Sequence, residues 1–239
     1  MSGSDKLPRK PAERAEIDAF LDKVAKAPVQ ATAGGRGRLM FGMDATASRR
    51  PTWDRAARLQ GEMFLVTREL GGLDVQLAFF RGFGEFKVSK WTGDAGELTR
   101  LMTGVDCLAG ETQIGKLLKH AVNETRRRKV NAVVYVGDCC EEDVDALGKS
   151  AGELGLLGVP VFMFHEGAEP IAGFAFQQIA KLSGGAYCSF DTASAGTLKE
   201  LLSAVAVYAA GGRLALENLA EAKGGEVLRI AHQMKGGEH

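Results

Sequence analysis

Five side chains in this sequence could hold a hard metal cation between them. Three lie in MDATASRRPTWD, residues 43–54: Asp44, Thr46 and Ser48 put a carboxylate and two hydroxyls at alternate positions. Thr112 lies in AGETQIG, a glycine-flanked segment, and Asp138 lies in VVYVGDCCEED. Every donor in the set is an oxygen, and no histidine or thiol is needed. Oxygen ligands in an open octahedral arrangement suit Mg2+ or Mn2+, with water in the free positions. Each residue also has a plainer use. Asp44 and Thr46 could serve a helix start with Ser48 or Thr52 as N-cap, and Asp138 could cap a helix near residue 143. The plainer reading must account for all five at one edge of a sheet.

The elements that would position them follow from hydrophobic periodicity. RLMFGMD, from residue 38, reads as a buried strand running into Asp44. TWDRAARLQGEMFLVTREL reads as a helix with Trp53, Ala56, Leu59, Met63, Val66 and Leu70 on one side. LDVQLAFFRG and EFKVSKW are strands separated by Gly82 and Gly84, which predicts a hairpin. A weak helix near 94–103 follows. TQIGKLLKHAVNETRRRK is a strong helix with Ile114, Leu117, Leu118, Ala121 and Val122 at helical spacing. VNAVVYVGD and VPVFMFHEG are strands apolar on both faces, with the helix DVDALGKSAGELGLLG between them. FAFQQIAKLSGG, AYCSF and AGTLKELLSAVAVYAAGG complete the order as helix, strand and helix. In the last of these, Leu198, Leu201, Leu202 and Val205 share a stripe.

Strands that alternate with helices and are apolar throughout predict a mostly parallel sheet covered on both faces. The expected fold is an α/β, doubly wound three-layer sandwich of Rossmann-like form, with one antiparallel edge strand. In such sheets ligands bind beyond the carboxyl ends of the strands, where strand order reverses. Asp44, Thr46, Ser48, Thr112 and Asp138 all fall at such ends or loops. Residues 13–27 carry Ile17, Phe20, Leu21 and Val24 at helical spacing. Prolines and the GGRG at 34–37 flank them, so residues 1–35 read as an N-terminal extension with one amphipathic helix. It either covers an edge of the domain or docks a partner. Residues 36–212 form the main domain and 213–239 a helical or flexible tail.

The 239 residues are 45% hydrophobic, enough for one substantial core. Lys+Arg and Asp+Glu number 30 each, so the formal charge is zero and a nucleic-acid partner is not expected. The RRRK run at 126–129 ends a helix, where cations complement the dipole. No apolar run reaches the roughly 18–20 residues that span a bilayer, and the polar N-terminus has no signal-peptide core. The expectation is a cytoplasmic protein. Cys107, Cys139, Cys140 and Cys188 make no C-x-x-C pair, so they read as small buried thiols.

Asp44-x-Thr46-x-Ser48 after the first strand, Thr112 before a helix and Asp138 after a later strand together resemble the von Willebrand factor type A (VWA) domain. Its metal-ion-dependent adhesion site (MIDAS) has the pattern Asp-x-Ser-x-Ser, then Thr, then Asp. The resemblance covers about residues 36–212, and the element order agrees. It implies that Thr46 and Ser48 ligate Mg2+ or Mn2+ directly and Thr112 directly or through water. It implies that Asp44 and Asp138 hold the metal or its waters, and that a partner's Asp or Glu fills the open position. Arg49, Glu111 and Cys139 would form the rim. Intracellular members of the family often act as adaptors, including with AAA+ ATPases, so the implied role is non-catalytic protein binding. Three positions depart from the pattern: Thr46 replaces a Ser, Arg49 stands where an apolar residue is common, and Cys139 where Gly is usual.

Haloacid-dehalogenase-like phosphotransferases share some of these features. Asp44 would be the nucleophile, and Asp138 with Asp143 would supply an acidic pair for Mg2+. Against this, position 46 is Thr, the second strand ends without a hydroxyl, Lys129 opens its strand, and Thr112 has no role. GGRGR at 34–38 precedes its strand, whereas a dinucleotide loop must follow one. His165 and Glu166 read as rim or surface-loop residues, and Tyr187 and Asp191 have the same status.

Overall fold

The computed structural model describes residues 36–49, 72–190 and 202–212, together with positions 19 and 215. The helices expected over 13–27 and 52–70 and the tail beyond 215 lie outside the described residues, as do Leu198, Leu201 and Asp191.

A six-stranded sheet carries the fold. In chain order its strands are β1 (Gly37–Asp44), β2 (Leu73–Arg81), β3 (Glu85–Val88), β4 (Ala132–Gly137), β5 (Val161–Glu166) and β6 (Tyr187–Phe190). They stand side by side as β3-β2-β1-β4-β5-β6. All neighbours are parallel except β2 and β3, the expected hairpin at the edge. The helices are α1 (Ala95–Thr103), α2 (Ile114–Arg127), α3 (Val144–Leu156), α4 (Pro170–Ser183) and α5, residues 202–212. This is the expected doubly wound α/β sandwich with one antiparallel edge strand.

The two-residue period of the strands divides the core between the two faces of the sheet. Leu39, Phe41 and Met43 of β1, Val134 and Val136 of β4, and Phe162 and Phe164 of β5 meet α1 through Leu98 and Met102, and α5 through Leu202, Val205 and Tyr208. Met40, Val133, Tyr135, Val161 and Met163 face the other way and meet α2, α3 and α4. All eight residues of β1 and all six of β4 and of β5 are buried. These strands are covered on both faces, which is why they read as continuous apolar runs.

On the second face Gly42 makes room for α2. A Cβ there would lie 2.3 Å from Leu117 Cδ2, so any larger residue would have to push the Leu117 side chain of α2 aside. Met40, Gly42 and Asp44 follow one another on that face, and the next side chain after the glycine is a carboxylate.

At the opposite end of β1, Arg38 is buried. Its guanidinium donates to Glu124 Oε2 at 3.2 Å and to the Arg128 carbonyl at 2.5 Å, and lies 3.8 Å from the Trp91 ring centroid. Trp91 Nε1 donates to the same Glu124 oxygen at 2.9 Å. Among the described residues no helix is long and apolar enough to cross a membrane.

Candidate metal centre

β1 is followed in the chain by its neighbour on one side, β2, whereas its neighbour on the other side is β4. The strand order reverses between β1 and β4, and sheets of this kind bind ligands beyond the carboxyl ends of the strands at that point. Met43 is in register with Val136, so the two strands finish together. Asp44 is the last residue of β1, and Asp138 directly follows Gly137, the last of β4.

Backbone bonds pin the segment after β1. Ala45 N–H donates to the Phe80 carbonyl at 3.0 Å, and Leu108 N–H to the Ala45 carbonyl at 3.1 Å. The chain then enters a 3-10 turn, Ala47–Arg49. Asp44 is fully buried, and its Oδ1 accepts the Thr46 N–H at 2.7 Å. Thr46 and Ser48 hydroxyls lie 3.1 Å apart, the first buried and the second exposed. The alternate spacing seen in the sequence therefore survives as one hydroxyl pair above a buried carboxylate.

Beyond the ends of β1 and β4, carboxylate oxygens of Asp44 and Asp138 and the Cys139 Sγ all lie within 4.8 Å of one another. Asp138 Oδ1 is buried and receives no hydrogen bond. A buried carboxylate oxygen normally has a donor. Two carboxylates at one point also repel unless positive charge lies between them. The orphaned oxygen and the oxygen-rich donor set both fit a divalent cation.

Thr112 belongs to a second cluster, joined to the first through Glu141. Thr112 N–H donates to Glu141 Oε2 at 3.0 Å, and Glu141 N–H donates to the Thr112 hydroxyl at 3.2 Å. Burial pushes the Glu141 carboxyl up, but bonds from Thr112 and the Cys139 thiol outweigh it and hold the group below the ordinary range. Burial, then the Asp138, Asp44 and Glu141 carboxylates, push the Cys139 thiol up.

Glu142, next in the chain, caps α2. Its carboxylate accepts the Ile114 N–H and, at 3.0 Å, the Gly115 N–H. A Cβ on Gly115 would stand 2.9 Å from Glu142 Oε2, so the glycine admits the cap. Helices leave their first N–H groups without partners, and here a residue 27 positions away supplies the acceptor. Burial is the main force raising the Glu142 carboxyl. Replacing Glu142 by Ala should cost about 1–3 kcal/mol in urea unfolding, the penalty for orphaning buried donors. It should also loosen the loop carrying Thr112. An unchanged unfolding midpoint would refute the capping role.

The sequence-derived set is thus partly assembled. Asp44, Thr46, Ser48 and Asp138 lie beyond the ends of β1 and β4, and Cys139, expected at the rim, clusters with the two carboxylates. Thr112 is buried and turned toward Glu141. Glu111 is exposed, its N–H directed to the Gly82 carbonyl at 3.4 Å. Arg49 closes the 3-10 turn, and its side chain lies outside the described part. Glu141 and Glu142 were not singled out, although the run CCEED beside a strand end was a visible signal. The N-cap of α3 is Asp143, whose Oδ1 accepts the Asp145 N–H at 3.1 Å, and this frees Asp138 from capping.

His165 and Glu166 correct the surface-loop expectation. Both are buried in β5, and His165 Nδ1 meets the Tyr187 hydroxyl at 2.9 Å. Tyr187 is half-buried in β6. His165 and Tyr187, with Glu169, Phe174 and Gln177, line an open cleft of about 390 Å3. β5 is an interior strand, and the His165 ring packs on Phe176 of α4, so an end-of-strand position here does not mean exposure.

No protein-family model matches the sequence. No curated protein matches it either. Solved structures do match by shape. The SpRpn10 VWA domain superposes with a TM-score of 0.55 at 15% identity, covering 74% of this chain and 97% of that one. An aerotolerance-related membrane protein of Bacteroides fragilis gives 0.53 at 18%, covering 70% and 96%. Proximal thread matrix protein 1 of the mussel byssus, solved with zinc in its MIDAS motif, gives 0.57 at 14%, covering 72% and 46%.

Proposed function

We propose that this chain, folded as a von Willebrand factor type A domain, is a divalent-cation-binding module that engages a partner protein. Asp44, Thr46, Ser48, Thr112 and Asp138 hold the ion, Mg2+ or Mn2+, directly or through water. A carboxylate from the partner completes its coordination. The observation that carries this is the pair of apposed carboxylates at the switch point, one with a buried oxygen that no donor reaches. The zinc-occupied MIDAS of the mussel protein, on the same fold, supports it.

Two acidic residues at the switch point would bind a cation, while the neutral hydroxyls leave it electrophilic enough to take an incoming Asp or Glu. Arg49, Glu111 and Cys139 would meet that partner. The main domain would span 36–212, with the 1–35 extension and the 213–239 tail as further docking segments. A cytoplasmic adaptor role, with an AAA+ ATPase complex among its partners, is consistent with this reading.

The proposal carries no catalytic step. The phosphotransferase reading loses a support and gains no lysine. Lys129 Nζ is committed to the Leu157 and Gly158 carbonyls at the opposite end of the sheet, far from Asp44. Asp143, its second acidic residue, caps α3.

The test is retention of binding proteins by immobilised chain in Mg2+ and in EDTA, alongside Asp44→Asn. A true partner is held only by the unsubstituted chain with metal. Retention indifferent to both chelator and substitution would overturn the carboxylate route.

A further inference from the structure

We propose that Cys139 is a metal ligand, so that this centre selects zinc-like ions over Mg2+. The inference rests on the metal-binding reading above and changes which ion the site prefers. The sequence expectation was a set of hard oxygens, with Cys139 as a wall of the loop. The structure instead has Cys139 Sγ within 4.8 Å of the Asp44 and Asp138 carboxylates, inside the same cluster. It is also the one cysteine of the four that is only half-buried, and Cys107, Cys140 and Cys188 are all buried in the core.

Sulfur changes the chemistry. Mg2+ takes oxygen donors in near-ideal octahedral geometry and has little affinity for thiolate. Zn2+ is borderline soft and accepts Cys sulfur at about 2.3 Å and carboxylate oxygen at about 2.0–2.2 Å. Donors this far from a common centre stand somewhat under 4 Å apart. The spread across the Asp44, Asp138 and Cys139 atoms therefore needs only a small closure. Two carboxylates and one thiolate make three anionic donors, with a fourth position left for water or a partner group.

The local bonding allows this switch. Cys139 lies two positions before Glu141, whose carboxylate and N–H are both bonded to Thr112. A dication between Asp44 and Asp138 reverses the local field, and a coordinating thiol is deprotonated. The S–H bond then breaks, its electron pair goes to the metal, and the proton leaves to buffer. Glu141 keeps its bonds with Thr112, so the loop need not unfold when the thiol turns to the ion.

Co2+ is the probe, because its bond to thiolate gives an intense near-ultraviolet charge-transfer absorption that oxygen ligands do not. The full chain titrated with Co2+ should develop that band. Cys139→Ser should abolish it, and Cys140→Ser should keep it. In competition calorimetry Cys139→Ser should weaken Zn2+ by roughly ten- to a hundredfold, the range for losing even a supporting group at a metal site. Mg2+ and Mn2+ affinity should hardly move. Co2+ binding that depends on Asp44 but brings no thiolate band overturns the inference and leaves the metal-centre reading standing. Equal loss of Zn2+ and Mg2+ affinity in Cys139→Ser overturns it as well. If no divalent ion binds the unsubstituted chain, both readings fall together.

Discussion

Asp44→Asn is expected to abolish the thermal stabilisation that Mn2+ gives the protein while leaving the metal-free fold intact. An ion that binds only the folded state stabilises it by RT ln(1 + [L]/Kd), or about 2.7 kcal/mol at a hundred times Kd. For a chain of this length that raises Tm by roughly 5–10 °C. Asparagine retains the Oδ1 that accepts the Thr46 N–H at 2.7 Å, so the turn after β1 survives. What it removes is the charge, and with it half of the carboxylate pair. Repulsion between Asp44 and Asp138 is relieved when no ion is present. Metal-free stability should therefore change by no more than about 1 kcal/mol, the centre of the distribution for point mutants. The measurement is a melting series with Mn2+ and with EDTA. An unsubstituted protein indifferent to both, or a variant with the full Mn2+ response, would end the metal-centre reading.

That outcome bears on how far the sequence alone reaches. The strands were legible because β1, β4 and β5 are covered on both faces and must be apolar along their whole length. Asp44 and Asp138 stood out because each breaks such a run at its end. Thr46 and Ser48 were legible because they are local to Asp44. What did not show was contact between distant segments. Glu141 reaches Thr112 across 29 positions, and Glu142 reaches Gly115 across 27. Neither has a periodicity to betray it, and an acidic run after a strand reads as a solvated loop or a helix cap. The place of Cys139 beside Asp44 did not show for the same reason. Its meaning depends on Asp44, on another strand, and not on its own neighbours. His165 failed differently. The end of a strand was equated with the surface, although the His165 ring packs on Phe176 of α4.

The opposite end of β1 sets the larger energetic stake, and it separates stability from the site. Arg38→Met should destabilise the protein by about 3 kcal/mol, the low end for breaking a buried pair, because a buried charge loses a cationic partner and keeps Trp91 and the exposed Arg127, 3.3 Å away. The charge is that of Glu124, whose side chain is only 13% exposed. Burial pushes the Glu124 carboxyl up, yet bonds from Trp91 and Arg38 and the charges around it hold it below its ordinary 4.5. A carboxyl lowered in the folded state stabilises above its unfolded value and loses that contribution as pH falls through the folded one. Stability of the unsubstituted protein should thus decline below about pH 4.5 in part through Glu124, and Arg38→Met should flatten that part of the profile. Adding Glu124→Leu to Arg38→Met should recover much of the loss, since an apolar pair of similar volume can replace a buried ion pair. It should not recover all of it, because Trp91 Nε1 then loses its acceptor. Urea unfolding across pH reads each of these. The Mn2+ shift in Tm should persist in both variants, since this network lies beyond Leu39–Met43 from Asp44 and touches none of the proposed ligands. A lost metal response in Arg38→Met would mean that β1 transmits strain from one end of the sheet to the other, and that the two ends cannot be treated as independent.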